Sequence, residues 1–264
     1  MILHRSALVP AAALVLAALA GCDDKKNAAP TAPTSSAAAA APTPSPSPAA
    51  PPTASAAAPA AKKDVVCSKD PAVTFSDPAF ESVVRVQTQK KDGPIQRADL
   101  ARVKTLNLTE AKLNELDPCI FPHFTALKGL YLPPGKIDDL SPLKALTQIE
   151  SLRVSATSVK DLRPLAGLIK LDRLDIGRTP VSDLSPLAGL VNLTELQIDE
   201  TEVTDLSPLA KLEKLEMVQM KRTRVDDLSP LRGMRNLKHV YLEGSAVKDT
   251  SPLLGIPGLK IHQE

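Results

Sequence analysis

A chain of 264 residues suggests one or two domains by length alone. Its 32 basic and 30 acidic residues leave a net charge of +2, so no strong field favours nucleic acid or acidic lipid. With no Trp, two Tyr and four Phe, it carries little of the aromatic surface on which very tight interfaces rely.

The chain opens MILHRSALVPAAALVLAALAGC. Arg5 supplies a positive start, and Ala7 to Ala20 form an apolar run too short to span a bilayer comfortably. That combination reads as a secretion signal. It closes with Leu19-Ala20-Gly21-Cys22, which resembles the lipobox of bacterial lipoproteins. The resemblance implies cleavage before Cys22 and lipidation of that cysteine with chains such as palmitate. An ordinary signal peptide with a chance cysteine is the alternative. Each buried CH₂ contributes about 0.8 kcal/mol, so several acyl chains hold a protein firmly. The expected location is therefore the bacterial cell envelope, lipid-anchored at the periplasmic side of either membrane or at the surface. A signal peptide over 1–21 and a lipidated Cys22 with a tether over 22–63 make the first two segments.

Residues 28–61 are almost wholly Ala, Pro, Ser and Thr. No apolar periodicity there builds a core, so the segment reads as a solvated linker. Its prolines favour extended polyproline II at about 3.1 Å per residue, which gives a reach of roughly 100 Å at most.

Residues 64–112 read as an N-terminal cap with a first strand. Asp77-Pro78 has the form of an N-cap followed by a first helical position, and Phe80, Val83 and Val84 make an apolar stripe. The spacing predicts a helix over about 78–90, stopped by Gly93-Pro94. With Cys22 lipidated, Cys67 and Cys119 remain. An exported domain with two thiols is expected to join them, with two buried thiols as the alternative.

From Leu113 to the end the chain repeats itself. A 24-residue unit starts at Leu113, and 22-residue units start at Ile137, Val159, Val181, Val203 and Val225. Partial units lie at about 95–112 and 247–264. Alternation such as Leu174-x-Ile176 reads as a strand with one buried face. One unit offers seven inward positions: Val181, Leu184, Leu187, Leu190, Leu193, Leu196 and Ile198. Their burial contributes roughly 10–20 kcal/mol gross, and ordering the unit costs at least about 20 kcal/mol. A lone unit therefore does not stand, and stacking must supply the remainder.

LDRLDIGRTPV, from Leu171, resembles the leucine-rich repeat pattern, and the 22-residue period with its DLSPL segment resembles the internalin type of bacterial repeat. The stretch from Phe75 to Leu108 is similar to the cap of such proteins. The resemblance covers about residues 75–264. It implies an α/β fold: a leucine-rich-repeat solenoid with a parallel β-sheet on the concave face, short 3₁₀ or helical turns on the convex face, and an N-terminal helical cap. It also implies recognition of other molecules, which in some relatives serves host adhesion. Ser-Pro pairs at 141–142, 185–186, 207–208, 229–230 and 251–252 suit Ser-capped turns on the return side. Arg163 replaces Ser in one unit, so that cap is expected to be weaker. The usual Asn of the family is here Thr157, Thr179, Thr201 and Thr223, then Ser245, which predicts a ladder of hydroxyl bonds. At the end of the chain, Thr250 replaces the usual Leu and Ile261 is expected to break the register. An exposed last strand there invites pairing, including a weak homodimer through this edge.

The repeat fixes the core, so chemical freedom lies in the outward strand positions. Asn107, Tyr131, Arg153, Asp175, Gln197, Gln219 and Tyr241 form one row, beside Ser151, Arg173, Glu195, Met217 and His239. Both tyrosines fall on the first row, five strands or about 24 Å apart at about 4.8 Å per strand. The candidate binding residues are thus Tyr131, Arg153, Arg173, Asp175, Glu195, Gln197, Met217, Gln219, His239 and Tyr241. A tyrosine on an exposed sheet position merely because it is tolerated there is the bland alternative. The histidines are isolated in the sequence, and no nucleophile–base motif, phosphate loop or His/Cys metal spacing appears. The recurring Asp139, Asp161, Asp183, Asp205, Asp227 and Asp249 read as turn caps rather than a calcium ladder.

The reading is a lipid-anchored protein that binds a protein or peptide without covalent chemistry, with no enzyme activity, cofactor, metal or nucleic-acid partner expected. A structural envelope protein tethered to cell-wall polymer or to another envelope component is the alternative.

Overall fold

The computed structural model describes residues 66–263. The expected signal peptide over 1–21, the lipidated Cys22 and the tether over 22–63 lie outside the described residues. Among those described, no helix is long and apolar enough to cross a membrane.

At the N-terminal end, β1 (Ala72–Val73) pairs antiparallel with β2 (Ile95–Gln96), with α1 (Pro78–Thr88) between them in the chain and α2 (Arg97–Leu100) following. The Asp77 Oδ1 accepts the Phe80 N–H at 2.8 Å, and Pro78 opens α1 where no N–H is needed. The helix ends earlier than Gly93-Pro94, because Gln89 already takes a left-handed conformation at φ 56°. Phe80 lies on the buried side of α1, 5.5 Å from the Phe121 ring and 6.3 Å from Phe124, with Phe75 edge-on at 4.9 Å. All four phenylalanines of the chain thus form one cluster joining the cap to the first repeat. Cys67 and Cys119 form the expected disulfide, with Cα atoms 5.3 Å apart across 52 residues.

Eight three-residue strands follow at the repeat interval: β3 (Thr105–Asn107), β4 (Gly129–Tyr131), β5 (Ser151–Arg153), β6 (Arg173–Asp175), β7 (Glu195–Gln197), β8 (Met217–Gln219), β9 (His239–Tyr241) and β10 (Lys260–His262). They form one parallel sheet in chain order. The central residue of each strand from Leu106 to Val240 is buried, which sets the other two outward. Short 3₁₀ turns, such as Ser185–Leu187 and Ser207–Leu209, stack against one another on the return side. All seven inward positions of the unit from Val181 to Ile198 are buried, so each layer is sealed by its neighbours as the periodicity requires. α1 covers the β3 end of the stack.

Three details differ from the sequence expectation. The serines of the turns do not cap them with their hydroxyls. The aspartates do, as their turn-cap reading expects: the Oδ1 of Asp139, Asp183, Asp205, Asp227 and Asp249 accepts the N–H two residues on, at 2.7–2.8 Å. Arg163 therefore does not weaken its turn: Asp161 accepts its backbone N–H at 2.9 Å and also its guanidinium at 2.8–3.0 Å.

The threonine hydroxyls do not link one rung to the next. Thr157, Thr179, Thr201 and Thr223 donate to the carbonyls of Val154, Ile176, Ile198 and Met220 in their own units, at 2.6–2.7 Å. A hydroxyl reaches three residues back and no further. Backbone makes the inter-rung link: the N–H groups of Ala156, Arg178, Glu200 and Arg222 donate to the carbonyls of Gly177, Asp199, Lys221 and Glu243 at 2.7–2.9 Å. Those four donors sit at φ 52–58°, a left-handed conformation uncommon outside glycine.

Ile261 breaks the 22-residue spacing, as expected, but not the strand ladder. Lys260, Ile261 and His262 pair with His239, Val240 and Tyr241. The last unit is one residue shorter: His239 to Lys260 is 21 residues, where Met217 to His239 is 22. The missing residue lies between Leu259 and β10.

Candidate functional site

The outward faces of β3 to β10 form one continuous polar surface. The register aligns Asn107, Tyr131, Arg153, Asp175, Gln197, Gln219 and Tyr241 in a row and extends it to His262. Ser151, Arg173, Glu195, Met217 and His239 form the parallel row and extend to Lys260. Each candidate residue thus stands on the face expected of it. Arg153 and Arg173 are exposed, and the other eight are half-buried against their neighbours.

Within the rows the structure makes two distinct centres. The first surrounds β4 to β7. The Arg153 Nε donates to Asp175 Oδ2 at 2.8 Å across one rung, leaving the Asp175 side chain 15% exposed. Arg173 lies 3.6 Å from both Asp172 and Glu195. Tyr131 closes one side, its hydroxyl 3.5 Å from Ser151 Oγ. These groups border an open depression of about 260 Å³ whose floor is Leu152 and Leu174. Charges of both signs and a phenol over an apolar floor suit a polypeptide, which offers carbonyls, amides and side chains in alternation.

The second centre lies at the β9–β10 end. The Tyr241 ring stacks on His262 at 4.2 Å and 11°, and His239 lies 5.6 Å from His262. The Lys221 Nζ sits 5.0 Å over the Tyr241 ring and 3.1 Å from Glu243. Tyr131 and Tyr241 therefore belong to one strip but to separate neighbourhoods. His262 and Lys221 are the residues that sequence reasoning missed. A 21-residue step, instead of 22, would have aligned His262 with Tyr241. Lys221 lies two residues beyond Gln219, outside the two outward positions on which the strip was built.

Between the two centres Asp199 is half-buried, and its Oδ1 accepts the Lys221 N–H at 2.7 Å. Burial pushes its carboxyl above the ordinary aspartate value. That hydrogen bond and the Lys221 charge oppose the shift, while nearby Asp175 and Glu243 add to it. Among the described residues no group of three or more His, Cys, Asp or Glu side chains converges as a metal cluster. The Asp ladder of the turns is instead engaged in the backbone capping described above.

No protein-family model matches the chain, and no curated protein does. Solved structures do match. Internalin C2 of Listeria monocytogenes is similar at 30% identity, over 72% of this chain and 94% of its own length, with a TM-score of 0.61. A second internalin of Listeria monocytogenes, inlF, matches at 22% identity over 72% of this chain and 63% of its own, with a TM-score of 0.59. A leucine-rich-repeat protein of Leptospira interrogans matches at 16% identity over 62% of this chain and 50% of its own, with a TM-score of 0.51. The last two bear on the fold alone.

Proposed function

The chain belongs to the leucine-rich-repeat proteins of the internalin type, and from that premise we propose that it binds a protein or extended peptide through the concave sheet face. One observation carries the reading. The repeat fills its inward positions largely with Leu, Ile and Val, yet the outward rows change from rung to rung and place both tyrosines, two arginines and their acidic partners on one surface. A surface needed only to stay wet has no use for such variety. The pairs Arg153–Asp175 and Arg173–Glu195 are held in place by adjacent strands, so little side-chain freedom is lost when a partner docks.

The test is crosslinked capture with three forms of the protein. The parent should recover a partner that Tyr131→Ala/Arg153→Ala/Tyr241→Ala loses and that a return-side control, Lys160→Ala/Lys248→Ala, retains. Equal recovery by all three would remove the concave-face reading. Loss of envelope integrity on shortening residues 28–61, with capture unchanged, would favour a structural role instead.

The proposal includes export and anchoring to the cell envelope through lipid on Cys22, supported by the apolar run before Leu19-Ala20-Gly21-Cys22. Cys22→Ala should then move the protein from the membrane fraction to the soluble one and abolish palmitate labelling. Unchanged fractionation would overturn that part.

A further inference from the structure

The second centre holds an arrangement that polypeptide binding does not call for. His239 and His262 stand on neighbouring strands, one strand over and two residues along, and both side chains are half-buried on the concave side. The Nδ1 of His239 and the Nε2 of His262 lie 3.3 Å apart. At that distance one ring donates to the other. That spacing has a second meaning. Two nitrogens bound at 2.0–2.1 Å to one ion are separated by about 3.3 Å when it is tetrahedral and about 2.9 Å at adjacent corners of a square. A modest tilt of the rings turns both lone pairs onto a shared ion without bringing the strands closer.

The rings are also held. The Leu242 N–H donates to the His262 carbonyl at 2.7 Å, and the Lys260 N–H to the Lys238 carbonyl at 2.9 Å, so the two backbones are locked in register. Tyr241 stacks flat on His262 and restrains that ring to rotation within the stack. A preassembled pair of this kind loses little freedom on binding. The nearby ammonium groups are largely offset by carboxylates: Lys221 pairs with Glu243 at 3.1 Å and Lys238 with Glu216 at 2.7 Å. Lys260 has no acid within ion-pair distance among the described residues, and it is exposed to solvent.

We propose that His239 and His262 form a two-imidazole chelate for a late divalent transition metal at the β10 end of the concave face. Imidazole ligands exclude calcium and magnesium, which take oxygen, and the order of affinity places Cu²⁺ first, ahead of Ni²⁺ and Zn²⁺. Only two positions on the ion are filled by these side chains, so water or a carboxylate completes its coordination on the solvent side. The site does not depend on the docking reading. It stands on the two nitrogens alone and is tested without any partner.

The experiment is titration of the purified intact chain with Cu²⁺ alone in a non-coordinating buffer, followed by calorimetry and electron paramagnetic resonance. The parent should bind one Cu²⁺ with hyperfine coupling from two imidazole nitrogens. His239→Ala and His262→Ala should each weaken that binding at least about tenfold, since losing a ligand costs no less than losing a group that merely orients one. His262→Gln should behave as His262→Ala, and His123→Ala, distant in the first repeat, should match the parent. Cu²⁺ should also raise the thermal midpoint of the parent more than that of either variant, because it binds the folded chain. Copper sites elsewhere in the chain would affect every form alike and cancel in these comparisons. Equal affinity in the parent and both single variants, coupling to fewer than two imidazoles, or no binding would each overturn the proposal.

Discussion

Thr179 gives its hydroxyl to the carbonyl oxygen of Ile176, 2.6 Å away and three residues back in the same repeat. Thr179 is 3% exposed and Ile176 is fully buried, so neither partner has water as a substitute. Thr157, Thr201 and Thr223 repeat the bond, and each closes the turn that leaves its own strand.

Replacing Thr179 by Val keeps the shape and removes the donor, which leaves the Ile176 carbonyl buried without its hydroxyl partner. The expected loss is about 1–3 kcal/mol. Urea unfolding measures it, and Thr179→Ser, which keeps the donor, should lose less. A Thr179→Val protein as stable as the parent would show that the bond closes nothing.

Arg178 is the left-handed residue that reaches the next rung, at φ 56° with its N–H on the Asp199 carbonyl at 2.7 Å. Left-handed backbone costs an ordinary residue about 1–2 kcal/mol, while glycine loses about 0.4–1 kcal/mol more on ordering. Arg178→Gly should therefore raise stability, by up to about 1 kcal/mol. Gly244 occupies the same place one unit from the end, at φ +70°, where an added Cβ would meet Arg222 Cγ at 3.1 Å. Gly244→Ala should lower the thermal midpoint while Arg178→Gly raises it. Shifts of one sign in both variants would refute the argument.

The Cys67–Cys119 bond joins the start of the cap to the first repeat across 52 residues. Closing a loop of that length in the unfolded chain contributes about 4 kcal/mol in the chain-entropy description. Cys67→Ser/Cys119→Ser should unfold at lower denaturant, and hydrogen exchange should rise first at α1 and the Phe80–Phe121–Phe124 cluster. Uniform loss of protection across β5 to β9 would mean that cap and repeats unfold as one unit.

The periodic part of the molecule was open to reading because each repeat states the same constraint several times. One inward leucine is ambiguous, but Leu152, Leu174 and Leu196 at 22-residue steps are not. What escaped was local. Asp183 and Ser185 both read as caps from the pattern, and which oxygen lies nearer one N–H decides that only the aspartate does so. The direction of the Thr179 hydroxyl is a question of reach that identity does not answer. His262 was hidden by a single missing residue, because a strict 22-residue ruler sets Gln263, not His262, against Tyr241. The outward rows were legible as positions. Their division into two centres was not, since it arises from pairs such as Arg153–Asp175 that join residues 22 apart.

Two aspartates give opposite responses to pH. Burial raises the Asp199 carboxyl above its ordinary 3.8, so ionising it is harder in the folded chain than in the unfolded one. Its cost to stability appears as pH rises through 3.8 toward the raised value and persists above it. Asp161 lies on the other side: the hydrogen bond from the Arg163 guanidinium holds its carboxyl below 3.8. Its contribution is present above 3.8 and lost as pH falls below that value. Asp199→Asn keeps an oxygen for the Lys221 N–H and removes the charge, so it should stabilise the protein at neutral pH, with the gain fading as pH approaches 3.8. Asp161→Asn should destabilise at neutral pH, and that loss should fade only below 3.8. Denaturant midpoints taken across this range separate the two, and an Asp199→Asn gain that grows on acidification would reverse the assignment of burial as the dominant cause.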